Sequence, residues 1–283
     1  MPPLYFRPPA TVGAAGPGIG ITGTGLEQAS AINALGNIQA VAVGNALLTA
    51  IDVRLAAGGV FCSIAPWDAQ AANKCAALGV GDNAKTPLAL ALEFNRANAH
   101  AALTAALVTA GQAGNYAWLA AQICNHAIPN IIGVPAVAAS SVTHGANWVT
   151  ALMVQNWATN AVQFPGPLGG QQAIDAALII IAVLHASLGA GAGTHARVHW
   201  SALSVSFTDT GGTVRPRPPF LALAHELIHA WHDITGTQTG HDINTYSRVV
   251  YEYLCIGLGD WAGMAISENA IRASAGIALR TMY

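Results

Sequence analysis

Ala222-Leu223-Ala224-His225-Glu226-Leu227-Ile228-His229-Ala230-Trp231-His232 is the stretch on which the reading of this chain turns. No proline interrupts it, Glu226 is its one charged residue, and Leu223, Leu227, Ile228 and Trp231 give it an apolar flank, so it predicts a single buried helix. On that helix His225 and His229 stand one turn apart on the same face, and Glu226 leans over beside them. A catalytic zinc needs neutral nitrogen ligands, an open position for water and a carboxylate to take that water's proton. His-Glu-x-x-His supplies two ligands and the base. His232 lies one turn too far along to share the ion and reads as a rim residue. The other reading of the helix is structural, with two buried histidines satisfied by their neighbours.

A third ligand is still required. A metzincin would place a histidine six residues after His229, where this chain has Thr235, so that class is excluded. Two carboxylates downstream compete. Asp242 lies in Gly236-Thr237-Gln238-Thr239-Gly240-His241-Asp242, loosely like the ligand loop of aspzincins. Glu252 lies in Tyr246-Ser247-Arg248-Val249-Val250-Tyr251-Glu252-Tyr253-Leu254-Cys255-Ile256-Gly257, which predicts a second helix, and a gluzincin takes its third ligand from such a helix packed against the first. Glu252 is the preferred ligand and Asp242 the alternative.

The C-terminal residues include Glu268, Asn269, Arg272, Arg280 and Tyr283. An arginine and a tyrosine three apart can both point into a cleft and stabilise an oxyanion; an ordinary polar tail is the other reading. The segment His225-Glu-Leu-Ile-His-Ala-Trp-His232 resembles the His-Glu-Leu-Ile-His-x-x-His of clostridial neurotoxin light chains. Glu252-x-x-Cys255-Ile256-Gly257 is similar to their Glu-x-x-Thr-x-Gly segment, and Arg280-x-x-Tyr283 to their Arg-x-x-Tyr. A closer similarity is to the NleD-like type III effector zinc metallopeptidases. Those share the Pro-Pro-Phe lead-in (here Pro218 to His229), a Glu-Asn-x-x-Arg segment (Glu268, Asn269, Arg272) and the terminal Arg-x-x-Tyr. The resemblance covers about the C-terminal third. Two departures stand out: Tyr251 precedes Glu252 where the family often has an acidic pair, and Cys255 replaces a threonine.

What the resemblance implies is a gluzincin holding one Zn2+ on His225, His229 and Glu252, with Glu226 as general base and Arg280 and Tyr283 stabilising the oxyanion. It further implies a bacterial effector or toxin, delivered into the host cytoplasm, that cleaves an intracellular protein, the leading substrate being a host mitogen-activated protein kinase. Glu268 would orient Arg280 or stand on a helix surface. The alternative, from a different class, is a catalytically silent helical binding or assembly protein.

Composition sets bounds around this core. The chain has 283 residues, enough to bury a full core, yet only 8% are charged and 53% are hydrophobic, with a mean hydropathy of +0.44. Between Arg96 and Asp175 there is no Asp, Glu, Lys or Arg at all. Polar and Gly/Pro residues still interrupt every apolar run before the ~20 residues a bilayer span needs, so no membrane span is expected. A net charge of −2 offers no basic footprint for nucleic acid. Cys62, Cys75, Cys124 and Cys255 have no metal-type spacing and read as free thiols. No classical signal peptide opens the chain, a feature compatible with export as an effector.

The expected fold class is α+β, predominantly helical, with a zincin-like core and a small sheet or hairpin beside the zinc helix. Residues 1–25, rich in Pro, Gly and Thr, predict a flexible leader. A single domain follows over 26–283, its helical part 26–192 and its zinc-binding part 193–283. Helices are predicted over 27–51 with a break near Gly44, and near 68–78, 87–112, 115–126, 142–161 and 171–188. Strands are predicted over 58–66 and 195–207, the latter returning through 213–215 as a hairpin. That hairpin, directly before the zinc helix, is expected to present the edge that holds an extended peptide. Arg215 and Arg217 within it could meet an acidic or phosphorylated substrate, or lie in a solvated turn.

Overall fold

A computed structural model describes residues 2–9, 16, 18–67, 73–94, 96–113, 189–208, 213–238, 247–258 and 263–281. Its architecture is mixed α+β. Five strands, β1 (Leu4–Phe6), β2 (Ile19–Ile21), β3 (Cys62–Pro66), β4 (Lys74–Leu78) and β5 (His195–Trp200), form one sheet in the order β1-β2-β3-β5-β4. The three central strands run parallel, and β1 and β4 are added antiparallel at the two edges. Central strands must bury apolar side chains on a packed face. Ile19, Ile21, Cys62, Ile64, Ala196 and Val198 do so.

The parallel step from β2 to β3 requires a crossover, which α1 (Gly25–Gln39) and α2 (Ala42–Ala56) provide. Thr24 and Glu27 form a capping box that starts α1. The break between α1 and α2 falls at Ala40 and Val41, three residues earlier than Gly44, because Gly44 serves packing instead. A Cβ there would lie 2.1 Å from the carbonyl oxygen of Ile38, so the bend closes only over a bare α-carbon. Leu35, Ile38, Leu47, Leu48 and Ile51 fill the space beneath. Among the described residues no single helix is long and apolar enough to cross a membrane; α1 and α2 satisfy length and composition only as a pair bent by 115°.

Several expectations need correction. The leader is not wholly irregular: Leu4–Phe6 and Ile19–Ile21 are strands, and Ile19 and Ile21 are core residues, because two short apolar runs separated by glycine and proline suffice to extend a sheet. The helix predicted near 68–78 is instead strand β4 over Lys74–Leu78, where pairing with β5 overrides alanine's helical preference. The single strand predicted over 195–207 is two. β5 ends at Trp200, and β6 (Ser206–Thr208) pairs with β7 (Val214–Pro216) as a separate hairpin. Helices α3 (Pro87–Phe94) and α4 (Arg96–Thr109) divide the one predicted over 87–112. The helices predicted over 115–126, 142–161 and 171–188 lie outside the described residues.

The two glycines test the crossover. Gly44→Ala should destabilise the chain by about 1–3 kcal/mol through overpacking. Gly36→Ala, on the exposed face of α1 with nothing within 4 Å of the added carbon, should stabilise it by about 0.5–1 kcal/mol. Thermal denaturation of both variants beside the wild type checks the signs.

Candidate metal centre

The central helix, α5 (Pro219–Thr235), begins with Pro219 in its first turn, where a missing N–H is not needed. It ends at Gly236 in the left-handed conformation at φ 69°, beside the carbonyl of Gly191, which a side chain there would strike. Trp200 Nε1 donates to the carbonyl of Pro219 at 3.1 Å, and the amides of Gly191 and Thr194 donate to the carbonyls of Gly236 and Asp233 at 2.8 and 2.9 Å. Both ends of the helix are therefore tied to β5. Packing against β5, β4, α1 and α2 buries α5 from Leu221 through Ala230, His225, Glu226 and His229 included.

Two further helices, α6 (Ser247–Ile256) and α7 (Glu268–Ser274), pack on α5 and deliver one carboxylate each. Glu252 of α6 meets both imidazoles. Its Oε2 lies 2.8 Å from His225 Nε2 and 3.3 Å from His229 Nε2, and the two Nε2 atoms are 3.1 Å apart. Ligand atoms placed tetrahedrally at ~2.0–2.1 Å from one ion are about 3.3 Å from each other, so these three atoms already occupy one face of such a tetrahedron. Two imidazole nitrogens and a carboxylate oxygen turned toward one point need positive charge among them, either a proton on His225 or a metal ion. The donor set fits a metal ion, and His225, His229 and Glu252 are the group that can hold one.

The outer nitrogens are also held. His225 Nδ1 lies 3.0 Å from Glu268 Oε2, and Glu268, with no exposed surface, is bound in turn by Arg272 Nε at 2.7 Å and Arg280 Nη1 at 3.0 Å. His229 Nδ1 lies 3.3 Å from the thiol of Cys255, so the cysteine that replaces threonine keeps a partner on that ring. Tyr251, in place of an acid, packs its ring 4.6 Å from that of His229 and donates its hydroxyl to the His229 carbonyl at 3.4 Å. His232 turns away from the ligands and bonds Thr237 Oγ1 through Nδ1 at 2.8 Å.

Burial opposes charge here, and the partners decide the outcome. For His225, burial alone would lower the pKa, but Glu252, Glu268 and Glu226 outweigh it and raise it to about 10. Burial would raise Glu252, yet the two imidazoles hold it well below the usual carboxylate range. Glu268 is likewise held well below that range despite burial, by His225, Arg280 and Arg272. Glu226 goes the other way: burial, with Glu252 adding to it, raises its pKa against the pull of His225 and His229. Asp233, one turn beyond His229, is raised by burial to about 6.

A cleft of about 590 Å³ opens over this cluster, with Glu226, His229, Asp233 and Glu252 on one wall and Lys74 and Cys75 of β4 on the other. The strand flanking the metal site is thus β4, at the edge of the large sheet, and not the hairpin before α5. That hairpin lines a different cavity, with Arg280. Arg217, read as a residue of a solvated turn, is buried at 9% exposure. Glu268 is not a surface carboxylate: of its two readings the pairing with Arg280 is the one seen, and its Oε2 also lies 3.0 Å from His225 Nδ1. Asp242, the alternative ligand, and Tyr283 lie outside the described residues. Sequence reasoning missed Glu268 as a partner of His225, along with the roles of Tyr251 and Cys255; the apolar residues around each of them were the available signal of burial.

Removing the carboxylate behind His225 should loosen the ion: Glu268→Gln is expected to weaken metal affinity about 10- to 100-fold, read by competition with a chelating indicator. Asp233 sets a pH dependence. Its folded pKa of about 6 exceeds the unfolded 3.8, so its contribution to stability is complete below 3.8 and is lost as pH rises through 6. Asp233→Asn has no proton to lose and should be the more stable protein above pH 6, by about 3 kcal/mol at most. Urea unfolding of both proteins in chelator at pH 4 and pH 8 measures the difference.

No protein-family model, curated protein or solved structure matches the chain, so the geometry above and the motif it contains carry the functional reading.

Proposed function

We propose that the chain is a zinc-dependent endopeptidase of gluzincin type with a zincin-like core. The observation that carries this reading is the convergence of His225, His229 and Glu252 on one point, with Glu226 beside them in the wall of an open cleft. Two imidazoles and a carboxylate, leaving a fourth position for water, are the ligand set of catalytic zinc. When bound, zinc supplies Lewis acidity that activates water near neutral pH.

The chain's own residues perform the remaining steps. Glu226 accepts the proton of the attacking water and later passes it to the leaving amine. Burial raises its pKa above the ordinary carboxylate value, which strengthens it as a base. Glu268 fixes the ring of His225, Cys255 that of His229, and each leaves Nε2 turned to the metal. The outer edge of β4 can take up an extended peptide by main-chain hydrogen bonds beside the cleft, the role first expected of the hairpin. Arg280 in this arrangement is engaged with Glu268 and acts through it on His225, and a direct oxyanion role belongs to Tyr283 by resemblance alone. Delivery as an effector and a host protein kinase as substrate extend the proposal by the same resemblance.

Purified protein should carry about one zinc per chain. Glu226→Gln should retain that zinc while cleavage falls by about 10²- to 10⁴-fold, measured by sequencing the new N-termini formed in a cell lysate. Cleavage by this variant at the wild-type rate would show that Glu226 is not the base. A metal-free chain whose stability is unchanged by His225→Ala would instead make α5 a structural helix.

A further inference from the structure

A second cavity, of about 480 Å³, opens between the β6–β7 hairpin and the segment that follows α7, and it shares no lining residue with the metal cleft. Its walls are of two kinds. Phe207, Ile277 and Leu279 make it apolar, and Arg215, Arg272 and Arg280 make it cationic; among the described residues no Asp or Glu lines it. The guanidinium of Arg280 lies 4.0 Å from the centre of the Phe207 ring and that of Arg217 lies 5.6 Å from it, so one aromatic side chain stands against two cations.

Charge in this region is out of balance. Glu268 pairs with Arg272 and Arg280, but it also faces His225, and burial keeps it from water. Arg217 Nε, Arg272 Nη2 and Arg280 Nε are buried and have no hydrogen-bond partner among the described residues. Arg217 and Arg272 are more than nine-tenths buried, and a buried guanidinium N–H left unmet is costly. Burial depresses the pKa of Arg217, and Glu268 and Glu226 pull it up against the like charges of Arg280 and Arg272. Of these three, Arg272 and Arg280 line the cavity, and an anionic group within it would meet their unpaired N–H groups, because guanidinium groups bind carboxylate and phosphoryl oxygens with paired N–H donors.

We propose that this cavity binds an anionic side chain of the peptide substrate, carboxylate or phosphoryl, with Arg215 and Arg280 holding the charge and Phe207 and Leu279 packing on its stem. The substrate part rests on the endopeptidase reading; the anion part does not. Position favours it: one oxygen, Glu268 Oε2, lies 3.0 Å from both Arg280 Nη1 and His225 Nδ1, so a single carboxylate separates the pocket from a metal ligand. A side chain lodged there belongs to a residue within a few positions of the bond being cut.

Phenyl phosphate, phenylacetate and benzyl alcohol present the same ring with a phosphoryl, a carboxylate and a neutral head, and calorimetric titration into the full zinc-loaded chain compares them. At least one anion should bind about tenfold or more tightly than the alcohol, and the tighter anion identifies the head group. Arg215→Gln should weaken that binding about tenfold, and Leu279→Asp should abolish it while Leu279→Asn, which loses the packing but adds no charge, weakens it much less, with zinc content unchanged in all three. Equal binding of all three compounds overturns the proposal. Anion binding that these variants leave intact also overturns it, since the anion is then on the metal.

A peptide library, with and without phosphatase treatment, tests the substrate part. Cleavage should be enriched for an acidic or phosphorylated residue at one fixed position, and the enrichment should vanish in Leu279→Asp. Cleavage without enrichment rejects the pocket as a specificity site. No cleavage at all rejects the endopeptidase reading, and the titrations then decide the anion site.

Discussion

A single carboxylate ties the molecule together at its centre. Glu268 has no exposed surface and accepts from Arg272 and Arg280 while facing His225. Removing a carboxylate from water costs several kcal/mol, and the arrangement holds only because cationic donors surround it. The consequence reaches along the chain. The same residues that satisfy Glu268 draw the segment after α7 against α7 and onto the metal helix. Asn269 reinforces this by donating to the Arg280 carbonyl and accepting its amide, at 2.9 and 2.8 Å.

Helix α5 carries its candidate metal ligands inside a core. Helix α5 buries Leu221, Leu223, Leu227, Ile228 and Ile234 against the sheet and the α1–α2 pair, and the same helix carries His225, Glu226 and His229 in the buried interior. Apolar packing fixes the backbone, and the fixed backbone sets the imidazoles at the spacing an ion requires. A surface helix could display the same motif without holding it. Rigidity here comes from glycine as much as from leucine: Gly193 and Gly236 let the loop before β5 approach the end of α5 more closely than any side chain would permit.

Much of this could be read from the residues in order. The motif in α5, the helix carrying Glu252 and the α1–α2 pair follow from periodicity and from the geometry of one helical turn. Three features did not. Strand β4 is a run of Lys, Cys and Ala that local preference would make helical, and only the free edge of β5 makes it a strand. The early strands were concealed by proline and glycine, which mark turns but say nothing of the short apolar runs between them. Glu268 was visible as an acid near two arginines, yet its approach to His225 depends on how α7 crosses α5, which no local pattern encodes. Arg280, to which the resemblance gives a part in the oxyanion, has its guanidinium 3.0 Å from Glu268 and over the Phe207 ring, a pairing that no local pattern encodes either.

The balance of buried charge connects the two cavities. Four carboxylates, those of Glu226, Asp233, Glu252 and Glu268, are buried around α5, and three guanidiniums, those of Arg217, Arg272 and Arg280, stand to one side of them. The acids of the metal cleft are answered by imidazoles, which are neutral when they act as ligands, so this side needs a cation. Arg272 and Arg280 share one carboxylate, that of Glu268, so the other side can accept an anion. Since opposite deficits lie on the two faces of Glu268, filling one does not relieve the other: a divalent ion cannot satisfy a guanidinium, nor an anion the converging lone pairs of His225 and His229. A protein meant only to fold would gain stability by replacing both sets with apolar residues. That two separate deficits of opposite sign lie side by side is the physical reason to read them as places for a cation and an anion.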